Sequence, residues 1–214
     1  MKPNKLILLS LFILSSSPYS FSQDAITWST HRNGSTVPDT VALEDYLPLK
    51  DGNVYVEAVV ELPNTTKQEL FSRAKLAVQK TFAGNKLGTS NYDLESGICS
   101  INNFYDISDR TFMGSLSDDP TTDKYNFNAL LFIIVKDGKY KIKMEVPQYT
   151  YGQSLKYNSY EDFVSHSMPV RNLANSRQSL KRQRMRVLKT LNEKMLTTFN
   201  LIQKEMEKKL DTDF

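Results

Sequence analysis

Cysteine is almost missing from this 214-residue chain, with Cys99 the only one. An internal disulfide is therefore impossible, and stability has to come from a packed core. Histidine is nearly as scarce, with only His31 and His166, far apart and outside the predicted sheet. No HExxH, CxxC or HxH spacing exists to hold zinc. Cys99 and His166 sit in no nucleophile motif, so Cys99 reads as a buried small side chain. Lys86-Leu87-Gly88-Thr89 does not complete a phosphate loop. Asp118, Asp119 and Asp123 lack the alternating ligands and closing glutamate of a calcium loop, and read as acids that keep a loop solvated. These absences leave no catalytic residue, no metal and no cofactor to expect. The one tryptophan, Trp28, reads as packing material.

Long apolar runs are also lacking after the start of the chain. Lys2 and Lys5 precede a run from Leu6 to Leu14 broken only by Ser10, and Ser20-Phe21-Ser22 offers small residues for cleavage. A charged start, a short apolar middle and a small-residue exit make residues 1–22 a secretory signal peptide. A membrane anchor needs ~20 apolar residues, more than are present. With no cysteine after the run, lipoprotein attachment is not expected. The expected location is periplasmic or extracellular. Asn33-Gly34-Ser35 and Asn64-Thr65-Thr66 match the glycosylation sequon, which matters only on a eukaryotic secretory route.

Charge is close to balanced overall, at +3, but unevenly placed. Arg171–Phe214 holds eleven basic and five acidic residues, a net of +6. Once Lys2 and Lys5 leave with the leader, Gln23–Val170 carries −5.

The clearest fold signal is Phe127–Thr150. Asp137-Gly138 between two apolar runs predicts a hairpin with a primed two-residue turn. The register then follows: Val135 opposite Tyr140, Ile133 opposite Ile142, Leu131 opposite Met144, Ala129 opposite Val146. Side chains alternate along a strand, so these eight share one face. Leu130, Phe132 and Ile134 point the other way, beside Lys141, Lys143 and Glu145.

Residues 23–52 read as an extended lead-in, with Trp28, Val41, Leu43, Tyr46 and Leu47 docking on the domain. Val54–Leu62 alternates as a strand that Pro63 ends. Thr66 and Glu69 form a capping box for a helix with its stripe on Leu70, Phe71, Ala74, Ala77, Val78, Thr81 and Phe82. It ends at Gly84, with Arg73, Lys75, Gln79 and Lys80 on its solvated side. A second hairpin, Leu87–Leu94 and Ile98–Ile107, turns at Glu95-Ser96-Gly97; its alternation leaves open whether Cys99 and Ile101 or Ile98 and Ser100 face inward. Ser108–Tyr125 reads as a polar insert. Tyr149, Tyr151, Tyr157, Tyr160 and Phe163 crowd a connector in which Ser159–Phe163 suggests a helical turn. A last helix spans about 174–210, and its basic first half is expected to overhang the domain. The whole is one α+β domain, 53–210, with about five antiparallel strands and both helices on one face.

GNVYVEAVVELPNTTKQELFSRAKLAVQKTF, ESGIC and FIIVKDGKYKIKMEV, with a terminal aromatic and a long helix, resemble a family of secreted bacterial domains of unknown function. The resemblance covers Leu47–Tyr151 and the last helix in outline. It implies a fold like that of the TATA-box-binding protein and an envelope location, with no activity to carry across. The insert 108–125 and the basic helix start depart from the family.

Two surfaces suggest a partner. The first is the sheet face opposite the helices, Leu130, Phe132 and Ile134 beside Lys141 and Lys143, which suits an envelope protein or ligand. It fails if the lead-in covers it. The second is Arg177, Lys181, Arg182, Arg184 and Arg186, which suit peripheral attachment to anionic lipid or polysaccharide. Nucleic acid is not expected, because export separates the chain from it and fold alone does not carry function.

Overall fold

The computed structural model describes residues 25–28, 41–83, 89–110, 122–157, 160–163, 166–173 and 180–210. The predicted leader, His31, the Asn33 sequon, Gly84, Asp118, Asp119, Ser159 and Arg177 lie outside them.

The first piece of regular structure is a 3-10 turn at Leu43–Asp45, followed by β1, Leu49–Lys50, and β2, Asn53–Glu61. The helix α1, Lys67–Thr81, starts at Thr66, whose hydroxyl accepts the Glu69 N–H. β3, Ser90–Asp93, and β4, Ile98–Arg110, form one hairpin; β5, Thr122–Lys136, and β6, Lys139–Tyr157, form the other. β7, Tyr160–Phe163, and β8, His166–Pro169, precede a 3-10 turn at Val170–Leu173 and the long helix α2, Lys181–Glu207.

Among the described residues, seven strands make the main antiparallel sheet, ordered β1-β2-β6-β5-β4-β3, with β8 on the far half of β6. β7 pairs only with the end of β6. The architecture is the expected α+β, with more strands than the five anticipated. The additional ones are two- to four-residue pieces, too short to show alternation.

The central pairing follows the expected register at three of its four pairs, Val135 opposite Tyr140, Ile133 opposite Ile142 and Leu131 opposite Met144, while the fourth, Ala129 with Val146, falls where the register shifts. All eight inward residues are buried. The turn is not primed. Gly138 alone has a positive φ, +73°, whereas a type I′ turn needs both central residues there. The reason is tertiary. The Gly138 N–H donates to the Thr65 carbonyl, the Leu62 N–H donates to the Gly138 carbonyl, and Asp137 Oδ1 accepts the Lys67 N–H at 2.7 Å. Asp137 thus serves as a second cap at the start of α1, where amide donors have no partner within the helix. The hairpin tip is clamped to the β2–α1 connection.

Pro147 is the joint of the sheet. The register against β5 shifts between Asn128 and Leu130, so β6 carries one residue more than its partner there. On the other side of β6, pairing with β2 ends at Val146 and pairing with β8 begins at Gln148. Pro147 lacks the N–H a ladder needs, so a break there costs nothing. The extra residue also reverses which side chains point inward. Even-numbered residues of β6 face the core before it, and Tyr149 and Tyr151 face it after. Together with Tyr125 and Phe127 they make an aromatic floor with ring centres 5.2–6.4 Å apart.

Three expectations are corrected here. Ser108–Arg110 and Thr122–Tyr125 are not insert but the ends of β4 and β5, paired in register. The tyrosine-rich segment is strand through Tyr157, and Tyr160–Phe163 is strand rather than a helical turn. Because these strands run long, the first turns of α2 do not overhang. Gln183 and Val187 are buried against the extended sheet. The ambiguous β4 faces inward through Cys99 and Ile101, both buried.

Both helices cover one face. Arg73, expected on the solvated side of α1, is buried instead. Its Nη1 donates to the Met206 carbonyl at 3.0 Å, supplying a partner that the last turn of α2 otherwise lacks, and Nη2 pairs with Glu69. The lead-in lies on α2: the Ile26 N–H donates to Gln203 Oε1 at 2.8 Å and Trp28 Nε1 to Asn192 Oδ1 at 2.5 Å. The Trp28 ring meets Phe199 edge-on at 5.1 Å.

The two hairpin glycines give a direct test. A Cβ on Gly97, at φ +73°, falls 2.6 Å from the Val135 carbonyl oxygen, whereas a Cβ on Gly138 meets nothing within 4 Å. Gly138→Ala is expected to cost only the left-handed backbone term of about 1–2 kcal/mol. Gly97→Ala adds overpacking and should cost about 3 kcal/mol or more. Urea unfolding midpoints check both, and equal losses contradict the packing at Gly97.

Candidate functional site

The registers lay the outer sheet face out in rows across β2, β6, β5 and β4. One row is Val59, Lys141, Ile134 and Ile98; the next is Glu57, Lys143, Phe132 and Ser100; the third is Tyr55, Glu145, Leu130 and Asn102. All five residues named from sequence for this face, Leu130, Phe132, Ile134, Lys141 and Lys143, come together on it. Sequence reading missed Val59, the most exposed large apolar residue described, at 58 %. Its signal was present: in Val59-Val60 the strand period puts only one of the two inside.

Leu130, Phe132 and Ile134 are half-buried, by their own neighbours. Lys143 Nζ lies 5.2 Å from the Phe132 ring centre and 5.4 Å from that of Tyr55, so its stem crosses the second row. Lys143 also pairs with Glu145 at 2.7 Å, and Lys141 with Glu57 at 3.3 Å. The Tyr55 hydroxyl donates to Glu57 at 2.7 Å. That bond pushes the Tyr55 phenol up to about 12 and, with Lys141, holds the Glu57 carboxyl below its ordinary value. The described parts of the lead-in lie on α2 and at the β2 edge, away from these rows.

The second candidate surface is arranged differently from its sequence appearance. Arg184 stacks over Tyr125 and Tyr151, at 5.5 and 5.8 Å from their ring centres. Arg186 Nε and Nη2 both donate to Asp109 Oδ2, at 3.0 and 2.9 Å. Gln183 Nε2 donates to buried Asp123, whose other oxygen accepts the Tyr151 hydroxyl at 2.9 Å. Asp123 is therefore a structural acceptor and not a solvating acid. Lys181 is half-buried and Arg182 exposed, while Arg177 lies outside the described residues.

Cys99 sits in mid-sheet opposite Ile133. Burial pushes its thiol up to about 12. His166 is in β8, inside the sheet contrary to expectation, opposite Tyr151. Tyr151 continues through Tyr125 to Ile107 on β4, eight residues from Cys99 and so roughly 26 Å along the strand. The register separates the formal nucleophile–base pair. Among the described residues no group of three or more His, Cys, Asp or Glu gathers to hold a metal. No described helix is long and apolar enough to cross a membrane.

Two outcomes follow. A thiol reagent at neutral pH should label Cys99 only after unfolding, because the folded thiol stays protonated. The raised value is neutral-form stabilisation, intact below the ordinary thiol value of 9.0 and lost as pH rises towards about 12; labelling of the native protein at the unfolded rate contradicts it. Asp123→Ala leaves the buried Gln183 amide and the Tyr151 hydroxyl without this acceptor, and should cost about 1–3 kcal/mol in urea unfolding.

Residues 57–150 match the family described as a domain of unknown function (DUF4468) with TBP-like fold. A TBP-like protein from Parabacteroides distasonis ATCC 8503 is similar at 19 % identity and a TM-score of 0.45, over 73 % of this chain and 96 % of that one. A DUF4468 family protein from Bacteroides ovatus ATCC 8483 is similar at 13 % identity and a TM-score of 0.43, over 82 % and 96 %. Comparison with curated proteins gives no match. The matched segment runs from β2 through α1 and both hairpins into β6, and it is this segment that is similar to the domain of unknown function with TBP-like fold.

Proposed function

We propose that this chain is an exported, non-catalytic binding module whose partner docks on the outer face of the sheet. The leader read at residues 1–22 supports export. One observation carries the docking surface. The helices close one side of the sheet, yet the other keeps Val59 at 58 % exposure, across Lys141 from half-exposed Ile134, with half-exposed Phe132 and Leu130 next along β5. Apolar side chains at adjoining register positions on an open face mark a contact surface more than scattered single residues do. The ion pairs on this face add specificity, since charged neighbours exclude partners of the wrong sign.

Attachment through the basic start of α2 draws less support, because Arg184 and Arg186 already have partners within the domain.

The buried Cys99 allows a clean test. Val59→Cys carrying an environment-sensitive fluorophore is titrated with solubilised envelope extract, beside Leu76→Cys on the exposed side of α1. Emission from position 59 is expected to shift to the blue while that from position 76 does not. No shift at 59, or equal shifts at both, overturns the reading.

A further inference from the structure

We infer that the outer face takes an anionic amphiphile: an apolar chain lies on Val59 and Ile134, and an acidic head sits among Lys136, Lys139 and Lys141. This rests on the reading of that face as a binding surface and specifies its occupant. The first row of the face puts Lys141 between Val59 and Ile134. Lys136 and Lys139 face each other across the end of the hairpin, one residue pair beyond the turn. The result is a shallow depression of about 370 Å³ lined by these residues and Tyr140, a volume within the range of small-molecule sites.

Charge decides the occupant. Lys141 is shared with Glu57 at 3.3 Å, Glu61 stands opposite Lys139 across the β2–β6 pairing, and Lys136 faces Lys139 rather than a carboxylate. Lys136 and Lys139 are both exposed, so three ammonium groups border the apolar floor against the two neighbouring carboxylates Glu57 and Glu61, which leaves the rim net positive. A cationic ligand is repelled there, and a neutral apolar one leaves the lysines unused. An acid with an apolar tail satisfies both parts, and lysine stems can lie along the tail while their charged ends reach the head. Two other depressions among the described residues lack this match. The one between β4 and α2 sets Lys194 against Asp106 and Glu193, and the one at the far end of the sheet sets Lys124 against Asp106.

The experiment uses the full mature chain with labelled methyl groups and three probes below their micelle concentrations: decanoate, a neutral decyl glycoside and decyltrimethylammonium. Decanoate is expected to shift the Val59 and Ile134 methyl resonances saturably, more tightly than either other probe and more weakly as salt rises. Lys136→Gln/Lys139→Gln, exposed positions that leave the core intact, should weaken decanoate by about tenfold, in line with two partly exposed charge contacts. Binding of the neutral or cationic probe as tight as decanoate, or unchanged affinity in the double variant, overturns the acidic class. Absence of any shift at the two methyls overturns the site. If position 59 still reports an envelope partner by fluorescence, only this inference fails; if that signal is missing as well, the binding-surface reading fails with it.

Discussion

The pairing of β5 with β6 fixes nearly everything else, through a constraint of parity. Side chains along a strand alternate with a period of two, so a slip of one residue carries a whole apolar set from one face to the other. Six buried residues, from Leu131 and Met144 to Val135 and Tyr140, hold this ladder in place, with Ala129 and Val146 buried beside the bulge that ends it. Burying such side chains is favourable by roughly 1.5–3 kcal/mol each, which makes a slipped register far more costly than any loss at the turn. The turn itself is free to take whichever geometry the β2–α1 connection dictates. It gives up a primed conformation and in return caps α1 with Asp137.

The same parity, deliberately broken once, extends the sheet. One extra residue at Pro147 exchanges inside for outside along the rest of β6. Without it, Gln148 and Thr150 would face the helices in place of Tyr149 and Tyr151. With it, the aromatic floor of Tyr125, Phe127, Tyr149 and Tyr151 continues the core beyond the aliphatic half. That floor is what the start of α2 rests on. Arg184 lies on two of its rings, and Gln183 and Arg186 reach the carboxylates of Asp123 and Asp109 at the strand ends. A helix start that looks like a free cationic surface is in large part a set of polar links to a sheet end of opposite charge.

These links leave the two faces of the sheet unequal. On the helix side, even the long polar groups are drawn in: Arg73 reaches the Met206 carbonyl, and Asn192 and Gln203 receive the lead-in. On the outer side, lysine stems and ion pairs shade the middle rows, while Val59 stays open beside the hairpin end. The face is therefore graded, with polar closure around Glu57 and Lys143 and an apolar, lysine-rimmed end at Val59 and Ile134.

Local pattern alone determined the hairpin register, the α1 cap and stripe, the glycine turn at Gly97, the buried half of α2 and the grouping of Leu130, Phe132 and Ile134 with Lys141 and Lys143. Each depends on spacing within one segment, which period two or 3.6 records directly. Tertiary structure decided the rest. Ser108–Arg110 and Thr122–Tyr125 are polar and become strands only because they pair with each other, and the tyrosines of β6 turn inward only because a bulge intervenes. Arg73, Asp123, Arg184 and Arg186 read as solvated charges until the fold brings a carbonyl, an amide, a ring or a carboxylate from distant sequence to meet them. A charge carries no mark in the sequence of whether its partner is water or another segment, so the use of these groups is settled by packing between elements.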